Sequence, residues 1–141
     1  MSEKPIRLRY FTPREANAIL PEVRVRVERA ADGAREIRQL QFLTKGDPDL
    51  DETERARMLE HIELLREQVA RIVEEVHQMG VEIKGLNPQL VDFPGLLNGQ
   101  EVYLCWQEGE KYLSWWHPIH TGVAGRQPLE DIDDGSWEWC H

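Results

Sequence analysis

Apolar residues recur with a helical period over the first 80 positions, and after Gly80 the period changes. From Thr12 onward, Ala16, Leu20, Val23, Val27, Ala30, Ala34 and Ile37 are spaced four and three alternately. That spacing is a heptad seam along one helix face. Three of its seven members are alanine, so a partner element can approach closely. T-P-R-E at 12–15 marks the start: Thr12 as N-cap, Pro13 at the first helical position, Glu15 closing a capping box. Pro21 takes a backbone donor out of an early turn and predicts a kink there. TKGDPDLD (44–51) then ends the helix with Gly46 and Pro48.

A second helix is predicted from Asp51 to Gly80, a natural residue just past a helix end. Its seam is Met58, Ile62, Leu65, Val69, Ile72, Val76 and Met79, again without an error in spacing. Two matching seams joined by a short polar turn predict an antiparallel helical hairpin over residues 12–80. At ~1.5 Å per residue such helices reach roughly 42–45 Å, against a radius of gyration of about 14 Å for a compact domain of this length. The hairpin therefore protrudes, or a second copy covers it.

Elsewhere the pattern is that of strands. IRLRYF (6–11) alternates as a short N-terminal strand does, and VEIK (81–84) reads as another. LNPQLVDFPGLLNGQ (86–100), with two prolines and two glycines, reads as an irregular connector. EVYLCW (101–106) and KYLSWWH (111–117) flank Q-E-G-E and predict a β-hairpin. A symmetric turn sets Trp106 opposite Lys111, Leu104 opposite Leu113 and Val102 opposite Trp115. One face then carries Val102, Leu104, Trp106, Leu113, Trp115 and His117, the other Tyr103, Cys105, Tyr112, Ser114 and Trp116. Both faces are largely apolar, which predicts a hairpin covered on both sides. The expected fold is α+β in a single domain, 1–141, with the helical hairpin at 12–80 and a small β unit at 81–141. The unit ends in an acidic tail, DIDDGSWEWCH, whose Trp137 and Trp139 are expected to dock back on the protein.

Charge narrows the partners. The net charge is −9, and residues 1–85 contribute −2 (17 acids, 15 bases) while residues 86–141 contribute −7 (9 acids, 2 bases). That field repels phosphate backbones, so nucleic acid is not expected as a ligand, and a basic protein surface suits the acidic part better. The arginine-rich basic set, 13 Arg to 4 Lys, fits a GC-rich bacterial genome. No apolar run reaches the roughly eighteen residues a membrane helix needs, and MSEKPIRLRY has no apolar signal core. The expected compartment is the cytoplasm, where Cys105 and Cys140 are free thiols.

Glu74 and His77 have the E-x-x-H spacing of di-metal bundles. With Val76 and Met79 on the seam they face outward, and the solvated-surface reading is preferred. Cys105, His117, His120, Cys140 and His141 gather metal-ligating side chains into the last quarter. Their spacing matches no zinc knuckle or finger, and in the symmetric hairpin Cys105 and His117 point to opposite faces. No metal and no cofactor is expected; if a metal binds, His117, His120 and Cys105 are its ligands. Asp92 and Arg126 are lone charges in apolar or small-residue stretches and are expected to form one ion pair or share one network. Asp92, Cys105, Trp106, His117 and Arg126 together make the candidate pocket or core network. No catalytic residue is assigned, because no nucleophile elbow, Walker loop or dinucleotide fingerprint occurs.

YFTPREANAILPEVR, GVEIKGLNPQLVDFPGLLNGQEVYLCWQEGE and WWHPIHTGVAGRQPL carry a resemblance. Through them the chain resembles a prokaryotic family catalogued as domain of unknown function 2203. The resemblance implies a helical hairpin with a small β unit and supplies no activity or substrate. The functional expectation is a non-enzymatic interaction or oligomerisation module, a homodimer through its coiled-coil-like helices. The alternative is a metal-binding protein or small enzyme built around Asp92, His117 and Arg126.

Overall fold

The computed structural model describes residues 9–138. Two helices come first, α1 (Pro13–Gly46) and α2 (Glu52–Gln78). They are followed by strands β1 (Glu82–Leu86), β2 (Gln89–Leu97), β3 (Gln100–Gln107), β4 (Trp115–Pro118), β5 (Gln127–Pro128) and β6 (Trp137–Glu138). The architecture is α+β, a helical hairpin docked on an antiparallel sheet.

The capping box forms as the sequence implies. Thr12 Oγ1 accepts from Glu15 N at 3.2 Å, and Glu15 Oε1 accepts from Thr12 N at 3.0 Å. The helix runs on through Pro21 to Gly46. Arg55 of α2 reaches back to donate to the carbonyls of Thr44 and Asp47, closing the connector. Asp51 caps α2 through Thr53 N.

The two seams bury Ala16, Leu20, Val23, Val27 and Ala30 on α1, and Ile62, Leu65, Ile72 and Val76 on α2. Only the base of the hairpin shares the sheet's core: Ala16, Leu20, Val23 and Val27 with Val76, against Val91, Phe93, Val102, Leu104 and Trp106. Beyond that base the helices pack on each other. Along the arm Phe42, near its free end, is 76% exposed, and Leu43, Leu59 and Leu64 are about half exposed.

The connector expected at 86–100 is instead a β-turn and an interior strand, β2. β1 and β2 flank a turn with a cis Asn87–Pro88 bond, and β2 and β3 flank Asn98–Gly99. Both residues of that second turn have positive φ, 50° and 82°, as a two-residue hairpin turn requires. Pro94 is tolerated within β2 because of where its missing N–H lies. Its carbonyl accepts from Phe11 N at 2.8 Å, and the N and O of a strand residue point the same way, so no bond to β3 is lost. That edge of β2 is divided between β1 at Gln89–Asp92, Phe11 at Pro94, and β6 at Leu96–Leu97. Of the expected N-terminal strand, residues 6–8 lie outside the described residues, and Tyr10 forms an isolated bridge.

The β3–β4 register also differs from the symmetric hairpin. Val102 pairs with Pro118, Tyr103 with His117, Leu104 with Trp116 and Cys105 with Trp115. This is a slip of three residues, an odd number, so β4 turns over. The cause is local. Glu110 closes a tight turn, accepting from Gln107 N at 2.7 Å through its carboxylate and from Trp106 Nε1 at 2.8 Å through its carbonyl. Residues 111–114 then leave the sheet, and α1 takes their place as partner: Leu113 N donates to Asn17 Oδ1 at 2.8 Å, and Asn17 Nδ2 donates to Leu113 O at 3.1 Å. Leu113 is buried in the core as a result. Trp137 docks as expected, buried in the core and paired with β2, and Trp139 lies outside the described residues.

Asn17→Ala is expected to lower unfolding free energy by about 1–3 kcal/mol, the cost of leaving enclosed backbone groups unpaired. Asn17→Asp, which keeps the acceptor and loses the donor, should fall between. Urea unfolding followed by tryptophan fluorescence measures both; wild-type stability in the alanine variant would remove this account of the register.

Candidate functional site

Alternation along the strands gives the sheet two different faces. Val91 and Phe93 of β2, and Leu104 and Trp106 of β3, turn toward the helices. Asp92 and Cys105, the residues between them, therefore turn to the opposite face, where they are direct cross-strand partners. The odd slip of β4 puts His117 on that same face, beside Tyr103. The three candidate side chains come from three adjacent strands and are each at most 3% exposed.

The geometry at the centre is close. His117 Nε2 lies 3.2 Å from Asp92 Oδ1, and His117 Nδ1 lies 2.7 Å from the Pro118 carbonyl. A carbonyl only accepts, so Nδ1 carries a proton and Nε2 is the atom offered to the cluster. One ligand atom each from Asp92, Cys105 and His117 lies within 4.8 Å of the others. Burial pushes the Asp92 carboxyl above its ordinary value, and the His117 imidazole pulls it partly back. Burial pushes the Cys105 thiol up to about 12, with the Asp92 carboxylate adding to the rise and Arg126 opposing it. A thiol held protonated this way is a poor nucleophile.

Arg126 stands at the rim of the cluster with a different partner. Its Nη2 lies 2.6 and 2.8 Å from the two Glu110 carboxylate oxygens and donates to the Cys105 carbonyl at 3.2 Å. Its guanidinium also sits 5.1 Å over the Trp115 ring. Of the two arrangements expected from sequence, one ion pair or one shared network, the direct Asp92–Arg126 pair does not form: Asp92 is paired with His117, and Arg126 with Glu110. The two pairs meet only at Cys105. Glu110 was missed because it lies in the turn, where an acid reads as solvated.

The other candidates lie elsewhere. Trp106 is on the helix-facing side under the Arg24 guanidinium, 5.5 Å from its ring, so it belongs to the core and not to this cluster. His120 is exposed, and the metal-ligating group among the described residues is Asp92, Cys105 and His117 rather than a set with His120. The expectation that Cys105 and His117 face apart is corrected by the register. Glu74 and His77 are exposed on α2. Cys140 and His141 lie outside the described residues.

Fold and site thus define an α+β protein with a helical arm on one face of its sheet and a buried carboxylate–thiol–imidazole centre on the other. The chain belongs to the family described as uncharacterized conserved protein (DUF2203), whose model matches residues 9–129 and so spans every residue of the centre. No curated protein and no solved structure matches the chain. Among the described residues no helix is long and apolar enough to cross a membrane.

Two measurements check this arrangement. A double-mutant cycle on Glu110 and Arg126 should show coupling beyond the ~0.3–0.5 kcal/mol of independent sites, with Asp92 and Arg126 more nearly additive. Because the folded thiol titrates above the ordinary value, the unfolded chain loses the Cys105 proton first. In chelator-treated protein the stability contributed by the neutral thiol is therefore complete below pH 9.0 and falls as pH rises toward about 12. Urea midpoints of wild type and Cys105→Ala at pH 8 and 10.5 test the sign; a wild-type midpoint that rises relative to the variant contradicts it.

Proposed function

We propose that the protein is a non-enzymatic interaction module whose helical arm pairs with the arm of a second copy. The observation that carries this reading is the exposed apolar surface of the arm, with Phe42 and Leu43 at its free end and Leu59 and Leu64 along α2. Near them Arg35, Arg38, Gln39, Phe42 and Leu43 line an open apolar groove. Single exposed apolar residues are ordinary, whereas several large ones on one arm, two of them lining a groove, favour a contact surface.

Charge favours a second copy as the occupant. α1 carries seven bases and five acids, +2, and α2 carries seven acids and four bases, −3. A two-fold arrangement with α1 of one copy against α2 of the other joins unlike charges at both contacts, and two-fold pairing is the commonest form of self-assembly. The competing reading, an enzyme centred on Asp92, His117 and Arg126, has less support: Arg126 is held by Glu110, and the Cys105 thiol is buried and protonated.

Light scattering at micromolar concentration should give a mass near 33 kDa, twice the 16.5 kDa of one chain. Phe42→Glu with Leu64→Glu should return it to 16.5 kDa with unchanged helix content. A wild-type monomer, or a dimer indifferent to both substitutions, overturns the proposal.

A further inference from the structure

We propose that Asp92, Cys105 and His117 form a binding site for one divalent transition-metal ion of the zinc class. This site is on the opposite face of the sheet from the arm and is independent of whether the arm self-associates.

Several observations converge on it. The three side chains supply a carboxylate oxygen, a sulfur and an imidazole nitrogen, the donor types that zinc accepts. Those atoms lie within 4.8 Å of one another, and ligands on a shared tetrahedral zinc are about 3.3–3.8 Å apart. Closing that gap takes about an ångström of side-chain movement, on three strands whose backbones are already hydrogen-bonded side by side. The His117 ring is already oriented: Nδ1 donates to the Pro118 carbonyl at 2.7 Å, leaving Nε2 turned to the cluster. Metal-ligating histidines are held in this way by an outer hydrogen bond to the other ring nitrogen.

Charge makes the case for an ion rather than an empty polar core. Asp92 is 3% exposed beside the fully buried Cys105, and burying a carboxylate is costly unless its charge is balanced. A dication bound by one carboxylate and one thiolate is a neutral unit, and the neutral imidazole adds no charge. On binding, the Cys105 S–H bond breaks, a sulfur–metal bond forms, and the proton leaves to solvent; any proton shared between Asp92 and His117 leaves with it. The thiolate selects against magnesium and calcium, which take oxygen ligands. Three protein donors leave one tetrahedral position for water.

The test uses the full chain, freed of metal by chelator and titrated with cobalt(II) chloride under a phosphine reductant. The expected result is saturation at one cobalt per chain, with a thiolate-to-cobalt charge-transfer band and the strong visible bands of tetrahedral cobalt. One equivalent of zinc should abolish them. The decisive variant is Cys140→Ser with His141→Ala, because the chain has two cysteines and Cys105 is then its only thiol. The bands should persist there, and in His120→Ala. In Asp92→Asn and His117→Gln, affinity should fall more than about 100-fold, beyond the 10–100-fold typical of outer partners. Absence of a thiolate band in wild type, or its loss in the Cys140→Ser, His141→Ala protein, overturns the site. So does undiminished binding in folded Asp92→Asn or His117→Gln. If those two variants do not fold, as circular dichroism would show, the Cys140→Ser, His141→Ala spectrum decides alone.

Discussion

The two hydrogen bonds between the Asn17 side chain and the Leu113 backbone govern the rest of the molecule. A carboxamide offers one donor and one acceptor side by side, so it can replace a neighbouring strand for a single residue. With Leu113 held against α1, the chain rejoins the sheet only at Trp115, three residues out of step with a symmetric hairpin. His117 then falls beside Tyr103 and on the face of Cys105. Helix docking, strand register and the composition of the buried centre are linked through that one side chain.

The sheet consequently solves two different problems on its two sides. Toward the helices it buries Val91, Phe93, Val102, Leu104 and Trp106, where apolar area leaving water supplies the driving force. On the other side Asp92, Cys105 and His117 are enclosed as well, and each polar atom there must find a partner or lose stability. The outer shell follows that rule in part: Tyr103 donates to Glu82 at 2.8 Å and Glu110 takes up the Arg126 charge, while Arg126 Nε is buried without a partner among the described residues. Such a face holds its geometry through the members that are paired.

The helices were legible because their information is local. Period, capping box and breakers all lie within a few residues of what they specify, and the buried positions of both seams follow the heptads. Strand β2 was not legible, since Pro88, Pro94 and Gly95 read as breakers. Pro94 is permitted only by an edge that Phe11 occupies, and Gly95 only leaves room for Trp137, whose ring carbon would lie 3.1 Å from an added Cβ. One local signal was available and unused: Asn98–Gly99 is a strong hairpin dipeptide. The membership of the centre was half legible. Asp92, Cys105, His117 and Arg126 stood out as polar residues in apolar settings, but their pairing depended on a register fixed from 96 residues away.

The divided edge of β2 has a consequence for how the sheet avoids pairing with other chains. A long strand with a free edge is a template on which another chain can add. Here Leu96 and Leu97, in an apolar stretch, are capped among the described residues by Trp137 and Glu138. Those residues lie beyond position 129, where the family match ends. A chain cut between 129 and 137 would keep its helices and most of its sheet, yet expose an unpaired apolar strand end beside the space vacated by an indole. Its failure would be edge-to-edge aggregation rather than unfolding.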